Sequence, residues 1–200
     1  MNDRKVVTLI VAFASLIYEF TLSHIMSILY GGLVMQYILT IGLYIFGLGV
    51  GSLFFERYQS SIKLSAVETL LTVFGSLTII VPIFLFKYAP YSQLLNLGYV
   101  FFIAFLSGIE LPALMHGQKN YLSILGLDYV GMALAGLFFP WFLLPELGLE
   151  LTLVLTASLN FLCVIILNEK FSYKKSSLVG AFALLLTSYF FFDMQKVMLM

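Results

Sequence analysis

The sequence predicts an all-α fold: a polytopic membrane bundle of about seven transmembrane helices with a cytoplasmic N-terminus. Three observations predict it. Hydrophobic residues make up 62% of the 200-residue chain and charged residues only 10%, with mean hydropathy +1.05; a soluble domain carries about a quarter charged residues. The apolar residues fall into runs of roughly 17 to 25, the length that crosses a bilayer as helix. The breaks between runs carry turn chemistry: Gly31-Gly32, Tyr88-Ala89-Pro90, Pro145-Glu146-Leu147-Gly148 and the polar stretch Asn168 to Ser177. A chain of this length and pattern makes one transmembrane domain. Zero net charge argues against a nucleic-acid partner, and the single cysteine, Cys163, excludes a disulfide within the chain.

The first span runs from Val6 to Leu29, behind Arg4-Lys5. Ala12-Phe13-Ala14 has the small-x-small look of a signal-peptide cleavage site, but the apolar run continues to Tyr30, as a spanning helix does. The others cover Leu33–Phe55, Leu64–Phe86, Leu94–Met115, Leu127–Leu144, Leu151–Leu167 and Leu178–Phe192. With the N-terminus inside, the inner side holds Arg4, Lys5, Arg57, Lys63, Lys119, Lys170, Lys174 and Lys175. The outer side holds only Lys87 and Lys196. That excess sets the orientation, and seven spans then place the last residue outside.

Four acids stand inside the apolar runs: Glu19 in SLIYEFTLS, Glu68 in LSAVETLLT, Glu110 in LSGIELPALM and Asp128 in LGLDYVGMA. No Lys or Arg accompanies them within those runs. A carboxylate in lipid costs several kcal/mol, so each is protonated, paired or facing a cavity. At about 1.5 Å per residue, Glu68, Glu110 and Asp128 form an inner trio, and Glu19, His24 and Gln36 an outer set. Ser15, Glu19, Ser23 and Ser27 recur every four residues and share one face. That stripe serves either as a cation or proton site, or as a protonated acid bonded to a neighbouring helix.

Packing motifs accompany the acids. Gly47 and Gly51 stand at GxxxG spacing, and Asp128, Gly131 and Ala135 share a face, both suited to close helix contact. Pro112 and Pro140 should kink their helices or free a carbonyl. A freed carbonyl beside an acid can coordinate a cation, as in broken transporter helices; a kink without a ligand is the simpler expectation. Trp141 and Tyr30 are expected at the outer interface. His24 and His116 lie at opposite depths, so no metal site is expected. No catalytic triad, haem motif or nucleotide loop is present, and no catalytic residue or cofactor is predicted.

Taken in order, the segments IYEFTLSHIMSILYGG, IGLYIFGLGVGSLFFER, LSGIELPALM, LDYVGMALAGLFFPWFLLPELGL and TASLNFL are spread over about Leu16 to Leu162. This ordered set resembles the membrane domain of membrane-bound spermidine synthases, bacterial polyamine aminopropyltransferase-type proteins. Tyr18, Glu19, Glu110, Pro112, Asp128, Tyr129 and Gly131 match that motif. In the family a soluble synthase domain follows, with a GGGDG-like loop for its nucleoside cosubstrate. This sequence has no such loop; its only Gly-Gly is Gly31-Gly32. The resemblance therefore implies a place in polyamine chemistry, in the bacterial inner membrane, without catalysis by this chain. It implies as partners the lipid bilayer, a polyamine, and a soluble synthase domain, fused or separate.

Three functions follow as expectations. The first is a membrane anchor and polyamine-binding module, with Glu19, Glu68, Glu110 and Asp128 as ligands. The second is a small cation or polyamine transporter using the same acids. The third is a structural subunit whose acids are neutral and hydrogen-bonded.

Overall fold

The computed structural model describes residues 2–167, and every described element is helical. The expected seventh span, Leu178–Phe192, and Lys170, Lys174, Lys175 and Lys196 lie outside the described residues. The elements are α1 (Asn2–Tyr30), α2 (Leu33–Tyr58), α3 (Leu64–Ser76), α4 (Ile80–Tyr88), α5 (Ser92–Met115) and α6 (Tyr121–Phe138). A π-helical stretch, Phe139–Leu147, then leads into α7 (Gly148–Leu167). By length and composition α1, α2, α5 and the stretch Tyr121–Leu167 can each cross a membrane, and the bent pair α3–α4 makes a fifth.

Two expected spans are corrected. The run Leu64–Phe86 is not one helix: it breaks after Ser76 and bends by 54° into α4. Pro82 cannot donate to the Thr78 carbonyl four residues back, and the Ser76 hydroxyl bonds the Val73 carbonyl at 2.8 Å. Tyr99 caps the broken end from α5, donating to the Phe74 carbonyl at 2.5 Å. The run expected at Leu127–Leu144 starts earlier, at Tyr121, and changes to π-helix at Phe139, next to Pro140. Burial of Ile124 against Val7 and Leu114 offsets the cost of about 1 kcal/mol for Gly126 within the helix.

Tyr121–Leu167 is continuous along the chain but not straight. The Thr152 hydroxyl donates to the Gly148 carbonyl at 2.6 Å and lies 3.1 Å from that of Leu143. Nine residues of straight helix would separate them by roughly 13 Å. Gly148 takes φ +71°, open to glycine at little cost. Ile124 and Cys163, near opposite ends of the stretch, meet in one buried cluster with Val7 and Val11. The chain folds back at Pro145–Gly148, and α7 returns alongside α1.

Helix α1 is the centre of the bundle, in contact with α2, α5, α6 and α7. The closest seams are made by glycines. A Cβ on Gly51 would fall on the Phe105 carbonyl oxygen, and one on Gly108 on the Leu48 backbone. A Cβ on Gly47 would lie 2.6 Å from that of Ala104, and one on Gly131 2.6 Å from the Leu9 carbonyl oxygen. The outer faces carry Leu33, Ile38, Phe46, Leu53, Leu122 and Trp141, all exposed, while the interior buries Ser, Thr, Asn, Gln and acids. An apolar exterior around a largely apolar interior that also shelters these polar groups suits lipid as the surrounding solvent.

Candidate functional site

The buried face of α5 follows helical spacing through Ile103, Leu106, Ser107, Glu110 and Leu114. That face carries the Glu110 carboxyl into the bundle. Opposite it, α6 turns Asp128, Gly131 and Ala135 inward, and the bare Gly131 lets α6 approach α1. Between α1, α2, α5 and α6 lies a cavity of about 150 Å³, room for several waters. Glu110 and Asp128 line it, with the small polar residues Ser15, Ser52 and Ser107.

Behind Glu110 stands Glu68 of α3, fully buried, its carboxyl in direct interaction with that of Glu110. Neither Glu68 oxygen has a well-formed hydrogen bond among the described residues. Three carboxyls from three helices thus form a row, Glu68–Glu110–Asp128. No Lys, Arg or His is buried among the described residues. Nor do any three His, Cys, Asp or Glu side chains there converge closely enough to hold a metal ion.

Hydroxyls set the shape of the cavity wall. The Tyr44 hydroxyl, fully buried, donates to the Ser15 carbonyl at 2.9 Å and lies 3.3 Å from the hydroxyls of Ser15 and Ser107. Pro112 removes the donor that would serve the Gly108 carbonyl, and the Ser52 hydroxyl takes its place at 2.8 Å. That carbonyl is therefore engaged within the protein rather than offered to a cation.

Glu19 is buried on α1 but does not line the cavity; it lies one turn beyond Ser15. Its companions Ser23 and Ser27 are buried too, Ser27 donating to the His24 carbonyl at 2.7 Å. His24 pairs through Nδ1 with the Tyr37 hydroxyl at 2.9 Å, while the His116 carbonyl at the other end accepts from Arg4 at 3.3 Å. Arg4, Lys5 and Lys119 line one pocket of about 360 Å³ at that second end.

Sequence reasoning gave no site role to several members, among them Tyr18, which matches the family motif. Tyr18 is wholly buried, within electrostatic reach of Glu68 and Glu110, and accepts a hydrogen bond from Asn160 at 3.2 Å. Gly75 makes room for it, since a Cβ there would collide with the Tyr18 hydroxyl. Asn160 had a signal, as the one carboxamide in the run Leu151–Leu167. Ser52, Ser107 and Tyr44 had none, because their role depends on which helices meet.

No family model matches the chain, and no solved structure gives a significant match. Curated relatives do. The polyamine aminopropyltransferase of Leptospira interrogans is 33% identical over 161 residues, 76% of this chain and 32% of the relative. Polyamine aminopropyltransferase 2 of Aquifex aeolicus is 30% identical over 175 residues, 82% of this chain and 35% of the relative. Polyamine aminopropyltransferase 2 of Ralstonia nicotianae is 32% identical over 157 residues, 72% and 30%. The chain spans about a third of the length of the curated relatives it matches. Over most of its own length it is a homologue of proteins named polyamine aminopropyltransferase.

Proposed function

We propose that this chain is the membrane module of a spermidine-synthase-like protein and that its acid-lined cavity binds a polyamine. The observation that carries the reading is the row Glu68–Glu110–Asp128 beside a cavity, with no buried basic side chain among the described residues. Uncompensated carboxyls away from water attract a cation. These three are too spread to close on one metal ion, and an elongated chain with several ammonium groups matches a row better than a point charge does. The names of the similar proteins point to the same ligand class. A soluble synthase domain, fused or separate, is the natural partner, for which the helices serve as anchor and polyamine sensor.

The module belongs in the bacterial inner membrane, with the end that carries Arg4, Lys5 and Lys119 facing the cytoplasm. Because Tyr121–Leu167 folds back, α1, α2, α3–α4, α5, α6 and α7 count as six passes. Single cysteines at 119 and 87, in a Cys163→Ala background, check the arrangement in intact cells. Residue 87 should react with a membrane-impermeant maleimide and residue 119 only after lysis; the reverse pattern would invert the topology.

Binding is tested with spermidine on protein held in nanodiscs. Glu110→Gln and Asp128→Asn should each weaken binding by about tenfold or more, the scale of a hydrogen bond to a charged group. Wild-type affinity in both variants, with folding intact, would remove the acid cavity as the site.

A further inference from the structure

The outer half of the α1–α2 hairpin holds polar groups that the cavity does not use. On α1 the stripe is the half-buried Ser15 and the buried Glu19 and Ser23; on α2 it is Gln36, Thr40 and Tyr44, all buried and again every four residues. Two hydrogen-bonded pairs set the register of this antiparallel hairpin. Tyr44 meets Ser15, and nearer the turn Tyr37 meets His24. Stepping by one turn from Ser15–Tyr44 places Glu19 opposite Thr40 and Ser23 opposite Gln36. The first rung is satisfied, as Tyr44 bonds Ser15 and Ser107. The next two are not: Thr40 Oγ1, Ser23 Oγ and Gln36 Oε1 are buried without hydrogen-bond partners among the described residues.

Orphaned buried polar atoms call for an explanation, since most such groups find a partner. Here every orphan is an oxygen, and they flank a buried carboxyl. A carboxylate, an amide carbonyl and two hydroxyls are acceptors suited to an ammonium group, which brings only donors. We infer that this seam is a second ammonium subsite, where the far amine of the polyamine is held by Glu19, Thr40 and Gln36. The inference rests on the cavity reading above. Geometry joins the two sites. Ser15 lines the cavity and Glu19 stands one turn further, about 6 Å along the axis, a distance of the order of the spacing between neighbouring polyamine nitrogens. Tyr44 lies within electrostatic reach of both Glu19 and Glu110, between the two sites.

The experiment compares spermidine with n-butylamine, which has a single ammonium group, by equilibrium dialysis on the full chain in nanodiscs. Glu19→Gln should weaken spermidine binding by about tenfold and leave n-butylamine binding unchanged. Thr40→Val should act in the same direction, and Thr40→Ser should restore affinity. If Glu19→Gln does not fold, the Thr40 pair decides. Wild-type spermidine affinity in these variants, or equal loss of both amines, overturns the subsite. Loss of every amine in Glu110→Gln beside an unaffected Glu19→Gln removes the subsite and leaves the cavity standing. Wild-type affinity in both Glu110→Gln and Asp128→Asn removes the cavity reading itself.

Discussion

Gly51→Leu is expected to destabilise the bundle by about 3 kcal/mol or more, the range of an overpacked core position. In thermal melts of detergent-solubilised protein it should show a large loss, or fail to yield folded protein. The reason is backbone contact, not side-chain fit. A Cβ on Gly51 would overlap the Phe105 carbonyl and crowd the Gly108 Cα at 3.1 Å, and rigid helix backbone has nowhere to yield. Helix α5 meets α2 reciprocally, since a Cβ on Gly108 would overlap Leu48. Gly49 supplies the control within the same GLGVG segment, for nothing lies within 4 Å of a Cβ there. Gly49→Leu should leave stability unharmed or raise it by up to about 1 kcal/mol through helix propensity. Equal effects at positions 49 and 51 would mean that α2 and α5 do not pack through these glycines.

That contrast shows what the sequence could and could not reveal. GxxxG spacing pointed to Gly47 and Gly51 because small residues one turn apart must share a helix face. It could not name Gly108 or Gly75, whose partners, Leu48 and Tyr18, come from other helices. The apolar runs were legible because bilayer thickness dictates their length, and α1, α2 and α5 follow them closely. The break at Ser76 was less legible: Pro82 marked the region, but the bend also depends on Tyr99 capping Phe74 from α5. Likewise Pro140 and Pro145 announced irregular helix without revealing a π-helical turn-back.

The acids divide in the same way. Their presence in apolar runs was plain, and depth alone assembled Glu68, Glu110 and Asp128 as an inner trio. The structure brings Glu110 and Asp128 to one cavity and sets Glu68 behind them. Glu19 stays apart, one turn beyond Ser15, where the stripe has left the cavity. Single-helix periodicity told which residues share a face, and only the hairpin register told what that face meets.

Glu68→Leu separates a functional row of acids from a structural one. The Glu68 side chain is wholly buried, neither of its oxygens has a well-formed hydrogen bond among the described residues, and the group it interacts with is another acid, Glu110. An unsatisfied buried polar group costs about 1–3 kcal/mol, and replacing buried ionisable groups by apolar ones of similar size is often neutral or stabilising. Leucine should therefore raise stability by about 1 kcal/mol or more, read as a higher melting temperature in the same detergent. Spermidine affinity should fall by about tenfold, because Glu110 loses the carboxyl that extends the acid row. Glu68→Gln, closer in shape, should share the loss of affinity without the full gain in stability. A destabilised Glu68→Leu protein would instead make the Glu68–Glu110 contact a structural tie between α3 and α5. Opposite signs in stability and binding are what a group retained for its ligand produces, since sites kept for function are where a fold departs from its own stability optimum.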